Sequence, residues 1–223
     1  KAYLPTVTGY YTDLKGNMLS FPFNSSTSMF YINKDAFKKA GLEPVPPKTW
    51  KELRAAAEKL KASGQGCAYT TSWPSWVHIE NFSAWHNVPI GTKQNGMGGF
   101  DTEFTINSPL HVRHIGLLGD MSKQGLFTYA GRTNQGDAKF SSGECAMATL
   151  SAGAQAGIKK AAKFEWQMAF MPYHDDVKGA PQNSIIGGAS LWVMAGRKAE
   201  EYKGVAKFLT FLSRPDIQME WHT

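Results

Sequence analysis

Four short stretches carry the side chains and backbone groups that could do chemistry in this chain. Asn24-Ser25-Ser26-Thr27 sets one amide and three hydroxyls in a row between two apolar runs, Met18–Phe23 and Ser28–Ile32. Ser151-Ala152-Gly153 follows the apolar run Cys145–Leu150 and opens a helical segment, Ala154–Phe164. That junction offers a hydroxyl, backbone N–H groups free of bulk and the positive end of a helix dipole, the ingredients of an oxyanion site. Gly187-Gly188 interrupts the longest apolar run, Ser184–Ala195, where a strand would kink or let another group approach the backbone. Ser72-Trp73-Pro74-Ser75-Trp76 leaves directly from the apolar run Cys67–Thr71, and a Trp beside a Pro there suits stacking on a polyol or an apolar ligand face. Three of the four also have a plainer reading. The polar four are a surface turn, the S-A-G junction is a tight turn, and the Trp packs a loop.

Catalysis would need convergent acids, bases or nucleophiles. Ser26 and Ser151 have no His or Lys at any motif spacing, and Gly187–Ser190 lacks the G-x-S-x-G pattern of a nucleophile elbow. Glu80 and Asp137 are not visibly paired, and His78 and His86 have no carboxylate or Cys at ligand spacing. Both histidines read as surface or capping residues. Cys67 and Cys145, the only cysteines, belong to no CxxC or zinc spacing. Buried thiols are the expected state, although the even count permits one disulfide in an oxidising compartment. No metal and no cofactor is expected. This is an inventory for recognition, and a metal-dependent phosphoester hydrolase is the competing reading from the enzyme class.

The elements that would position these groups follow from periodicity and caps. Asp35–Ala40 is a short helix stopped by Gly41. After the Pro-rich connector 43–48, Thr49-Trp50-Lys51-Glu52 is a capping box that starts a helix running to about Ala62, with Leu53, Ala57 and Leu60 on one face. Cys67–Thr71 reads as a strand. Trp76–His86 continues as a helix with Trp76, Ile79 and Phe82 inward, and the Gly-rich stretch 87–104 is a long loop. Ser108-Pro109 is an N-cap followed by Pro at N1, opening a helix to about Lys123. A weaker helix over Asp137–Ser142 precedes the strand Cys145–Leu150, and Trp166–Met171 and Ala199–Ser213 read as strand and amphipathic helix. Strands alternating with helices predict an α/β fold on a mostly parallel sheet, whose ligands bind beyond the carboxyl ends of the strands. Pro22 argues against a central strand over Met18–Phe23.

Composition sets the bounds. With 223 residues, 42% hydrophobic and 19% charged, the chain can bury a sizeable core and is not a disordered polymer. The net charge is +6, but the lysines are spread along helices and form no cluster, so no nucleic-acid footprint is expected. A mild positive field favours an anionic small ligand. No apolar run approaches the roughly 20 residues of a membrane span, and no signal peptide is recognised. The opening KAYLPTVTGYY and the closing Trp221-His222-Thr223 suggest a fragment or trimmed chain.

Longer strings carry a resemblance. FPFNSST with YINKDAFKKAG, the PPKTW helix start, ENFSAW, GECAM and APQNSIIGGASLWVM are similar to the periplasmic sn-glycerol-3-phosphate-binding proteins of ABC importers, over essentially the whole chain. The resemblance implies a type II periplasmic-binding-protein-like α/β fold of two lobes with a ligand cleft between them, located in the periplasm. Residues 28–186 would form one C-terminal-type lobe. Residues 1–27 and 187–223 would be hinge crossovers and part of the N-terminal-type lobe. Family ligand positions fall on Ser26, Trp73, Ser151 and Gly188. The serine hydroxyls and the Gly188 N–H would donate mainly to phosphate oxygens, and Trp73 would pack on the glycerol carbons. The implied function is non-enzymatic capture of a small phosphorylated polyol, with glycerophosphodiesters as further ligands, and delivery by a monomer to a membrane permease. Generic sugar-binding proteins of the same superfamily are the alternative. A Tyr and a Glu of the family site would precede Lys1, and a Tyr and an Arg would follow Thr223, so the Arg fork on the phosphate is missing from these residues. The isolated 223 residues are therefore expected to bind glycerol phosphate weakly or not at all. Titration calorimetry checks this, and micromolar or tighter binding would refute it.

Overall fold

The computed structural model describes residues 3–13 and 15–222. By internal contact the chain divides into two compact units. One is the continuous stretch Ser26–Ile185, and the other joins the residues up to Ser25 with those from Ile186 onward. Among the described residues, seven strands run in chain order: β1 Phe21–Ser26, β2 Ser28–Asn33, β3 Cys67–Thr71, β4 Phe127–Tyr129, β5 Cys145–Ser151, β6 Trp166–Ala169 and β7 Gly187–Leu191.

The larger unit is built on five of them, in the order β4-β3-β5-β2-β6. β3 runs parallel to β4 and β5, whereas β2 runs antiparallel to β5 and β6. The sheet is thus mixed where the strand–helix alternation predicts a mostly parallel one. The cause is an additional pass of chain. After β2 and the Lys34–Lys39 helix, the Pro-rich connector carries the backbone back to Thr49, bridged to Tyr173 just beyond the end of β6: the Tyr173 N–H donates to Lys48 O and the Trp50 N–H donates to Tyr173 O, each at 3.1 Å. The Trp50–Ala62 helix then descends, so β3 starts at the end of the sheet where β2 finished. A strict βαβ crossover has no such return.

Side chains alternate across the strands. Phe30 and Ile32 of β2 join Trp50, Leu53, Leu60 and Met121 in one core, and Tyr31 joins Phe140, Leu150 and Ile158 in the other. Helices Trp50–Ala62 and Pro109–Lys123 cover the first face, and Gln135–Ser141 and Gln155–Ala161 the second. β3 and β5 are buried on both sides, which is why they read as unbroken apolar runs. The capping box forms: the Glu52 N–H donates to Thr49 Oγ1 (3.1 Å), and Thr49 N–H donates to Glu52 Oε2 (3.1 Å). The Trp76–His86 segment differs from a plain helix. Trp76–Asn81 is wound as a π-helix and Phe82–Trp85 as an α-helix, which turns Val77, His78, Asn81 and Phe82 inward.

Cys67 and Cys145 form a disulfide, not the pair of thiols expected from burial alone. They are register partners on the adjacent parallel strands β3 and β5, with Cα atoms 4.4 Å apart, within reach of a bridge. Neither the pairing of β3 with β5 nor this register is visible in residues 78 positions apart.

The smaller unit holds the two-stranded sheet β1–β7 and the helices Pro5–Tyr10, Ala199–Leu212 and Pro215–His222. Pro22 sits in β1, a strand with a single partner, where a missing N–H is tolerated. Phe23 packs edge-on against Trp221, ring centroids 4.4 Å apart, and Leu212 is buried. Trp192, Val193, Met194 and Phe208 are exposed. The Cys67→Ser/Cys145→Ser double variant is expected to lose up to about 4.5 kcal/mol of stability, the chain-entropy value for a loop of this length. Urea unfolding with and without reductant measures it, and a reductant effect persisting in the double variant would contradict the assignment.

Candidate functional site

β5 organises one end of the larger sheet. Because β3 and β5 are parallel, both end there, and because β2 is antiparallel, it begins there. Ser28 pairs with Ser151, and the Ala152 N–H donates to Thr27 O at 2.8 Å. Ser26–Thr27 and Ser151–Gly153 therefore lie side by side past the sheet. Ser151 Oγ accepts from the Gly153 N–H at 3.1 Å, and the Ser151 carbonyl accepts from the Tyr31 hydroxyl at 3.1 Å. Burial, reinforced by the charge of Asp137, pushes the Tyr31 hydroxyl up, so it stays protonated and able to donate. Ser151 is thus held from two directions, with its own O–H left to give. A Cβ on Gly153 would stand 3.3 Å from Ser151 Oγ, so glycine keeps that hydroxyl open.

The Trp73 loop leaves the same end. The Ser72 N–H donates to Thr149 O of β5 at 3.0 Å, and Ser72 Oγ donates to Asp137 Oδ1 at 2.7 Å. Burial raises the Asp137 carboxyl, while the Ser72 hydrogen bond opposes that. A Cβ on Gly136 would lie 2.6 Å from Thr71 O, so the helix bearing Asp137 meets the end of β3 backbone to backbone. Trp73 has φ +50°, its N–H donates to Thr133 O at 2.8 Å, and the residue is 40% exposed. A bulky residue in the left-handed region costs on the order of 1–3 kcal/mol and persists where its surroundings dictate it. The outcome is an aromatic face held open at the strand ends.

The polar four are not a turn. β1 continues through Ser26, so Asn24–Ser26 are extended and pass from one unit into the other. Thr27, not singled out by its motif, fastens that passage. Its Oγ1 donates to Ile185 O at 2.9 Å and pairs with Ser184 Oγ at 2.8 Å, joining the two segments by which the chain enters and leaves the larger unit.

Ser26, Trp73 and Ser151 thus share one end of the larger unit. Gly188 belongs to the smaller one, in β7, with φ +146°. A Cβ there would fall 2.0 Å from the Asn24 carbonyl oxygen, and the neighbouring Ala189 N–H donates to Asn24 Oδ1 at 3.0 Å. Close backbone approach explains this glycine within its own unit.

Sequence spacing missed a histidine cluster beneath the site. His78 and His86 are buried, not on the surface: His78 is turned inward within the π-helical turn, and His86 caps the short α-helix that follows it. His78 Nδ1 lies 3.1 Å from His114 Nε2, and its Nε2 lies 3.1 Å from the Thr71 hydroxyl. His114 stacks on Phe82, ring centroids 3.9 Å apart. His111 bridges the Ser83 and Ser108 hydroxyls, each at 2.7 Å. His86 Nε2 accepts from the His174 N–H at 2.9 Å. Burial depresses all five, His78 to about 3 and His174 to about 4. They are neutral at pH 7 and fill core volume. Among the described residues no group of three or more His, Cys, Asp or Glu is arranged to hold a metal ion.

The family model for bacterial extracellular solute-binding proteins matches residues 1–223. The chain belongs to that family. The sn-glycerol-3-phosphate-binding periplasmic protein UgpB of Yersinia enterocolitica is 56% identical over 222 residues, covering 99% of this chain and 51% of that protein. Its counterpart from Pectobacterium atrosepticum is 55% identical over 222 residues, covering 99% and 50%. The chain of this family member thus spans about half the length of the curated relatives it matches. Among solved structures, UgpB from Mycobacterium tuberculosis in complex with glycerophosphocholine superposes with a TM-score of 0.77 at 23% identity, over 97% of this chain and 54% of that one. Maltose-bound T. maritima MalE3 superposes with a TM-score of 0.77 at 19% identity, over 97% and 55%. The fold is that of the type II periplasmic solute-binding proteins.

The histidine cluster makes the larger unit acid-sensitive. Its folded pKa values lie below the ordinary value near 6.5, so the unfolded chain binds more protons as the pH falls. Stability is complete above pH 6.5 and declines below it, by on the order of 2 kcal/mol at pH 5 for His78 alone. Urea unfolding at pH 7.5 and pH 5.0 is expected to show the decline, and equal or greater stability at pH 5.0 would contradict it.

Proposed function

We propose that this chain is part of the ligand-capturing subunit of an ABC importer that takes sn-glycerol 3-phosphate. The Ser26–Ile185 unit is read as one lobe of the two-lobed protein. The observation that carries the reading is the gathering of Ser26, Ser151 and Trp73 at one end of the sheet, in a chain 55–56% identical to proteins named for binding that ligand. A phosphate needs donors, and the two hydroxyls supply them. The glycerol carbons need an apolar face, and the exposed ring of Trp73 supplies it. The Gly188 N–H, free of any side chain, is a further proposed donor to phosphate in the full-length protein. No acid–base pair or nucleophile–base pair is bonded to these groups among the described residues, which favours capture over turnover. A ligand with a second group on the phosphate is compatible with this donor set.

The relatives are periplasmic proteins, and no helix among the described residues is long and apolar enough to cross a membrane. A periplasmic monomer handing its ligand to a membrane permease is the arrangement proposed. Thermal-shift assays on the full-length protein are expected to show stabilisation by sn-glycerol 3-phosphate and no release of phosphate. Ser151→Ala and Ser26→Ala are each expected to weaken binding roughly tenfold, the value of one hydrogen bond to a charged group. A shift with maltose alone would move the reading to a sugar-binding protein, and phosphate release would move it to a hydrolase.

A further inference from the structure

Below the paired connecting segments of the larger unit lies a small enclosed cavity, lined among others by Ser28, Trp50, Asn81, Trp85 and Ser184. Four of these residues carry a buried polar atom with no hydrogen-bond partner in the chain: Ser28 Oγ, Trp50 Nε1, Asn81 Oδ1 and Trp85 Nε1. Buried polar atoms are nearly always paired, so four orphans around one space require an explanation. Their chemistry is specific. An indole N–H can only donate, an amide oxygen can only accept, and a serine hydroxyl can do either. The Asn81 amide is oriented by its Nδ2, which donates to Trp76 O at 3.1 Å and leaves Oδ1 as the unpaired acceptor.

Two donors and two acceptors on residues that line one small space match the complement of one water molecule, which accepts two hydrogen bonds and donates two. The cavity leaves about 10 Å³ for the centre of a water-sized molecule, on the order of the least that a single water needs. We propose that this cavity is a binding site for one buried water, accepting from the Trp50 and Trp85 indoles and donating to Asn81 Oδ1 and Ser28 Oγ. The water would join β2, the Trp50–Ala62 helix, the π-helical turn and the helix after it. It would do so next to Ser184, whose hydroxyl bonds to Thr27 at 2.8 Å. It is thus a structural ligand at the root of both connecting segments, distinct from Ser26, Trp73 and Ser151, and it does not depend on what those residues bind.

The test is water–proton cross-relaxation in the ¹⁵N-labelled full-length protein, with the Trp50 and Trp85 indole resonances assigned by Phe replacement. Both indole protons are expected to show cross-peaks to a long-lived water. Asn81→Leu, which removes an acceptor and fills the space, is expected to abolish both together. Cross-peaks at one indole or at neither in the parent protein overturn the site, as does their persistence in a folded Asn81→Leu variant. If that variant does not fold, the parent spectrum decides.

Discussion

The position of β5, between a parallel and an antiparallel neighbour, is the constraint on which the larger unit depends. Its backbone hydrogen bonds fix β3 and β2 in register, and with them which ends of the strands coincide. Were β2 parallel to β5, Ser28 would start at the opposite end of the sheet, and Ser26 would be a strand length from Ser151. A one-residue slip of the pairing would also invert Met147 and Ala148 between the two cores. The apolar character of β5 on both faces makes that slip costly, so the same side chains that build the core also hold the hydroxyls together.

From that end the structure becomes progressively more polar and more individually held. Tyr31, Thr27, Ser72 and Asp137 each bond to a residue of the site or to the backbone beside it. Beneath them the histidine cluster, Tyr69 and Thr149 form a buried polar layer in which Tyr69 OH and Thr149 Oγ1 lie 2.8 Å apart. Buried polar networks of this kind favour a single arrangement, because most displacements leave a group without its partner. The design separates tasks. Apolar alternation sets the strands, and polar bonds set the angles of the loops that leave them.

Legibility in the sequence followed the range of the interaction responsible. Local rules were readable. The Thr49–Glu52 box, the Ser108 cap and the apolar runs of β3 and β5 appear where the sequence places them. The family resemblance led to Ser26, Ser151 and Trp73, which the sheet register then places at one end. What escaped was set by pairing at a distance. The direction of β2 depends on a connector that bonds to Tyr173, the inward turn of His78 depends on a π-helical winding, and Thr27 gains meaning only from Ser184. Gly188 was legible as a site of close approach, but not the group approaching it, the carbonyl of Asn24.

The disulfide has a consequence for biosynthesis. A chain emerging from the membrane delivers Cys67 well before Cys145, and within these 223 residues neither has any other cysteine to pair with. Intrachain pairing within this stretch therefore has one outcome. Timing remains as a demand: both sulfur atoms end in the interior, so the oxidant has to reach them before the helices settle over the sheet. The same chain made in a reducing cytosol would lack this cross-link between its two central strands.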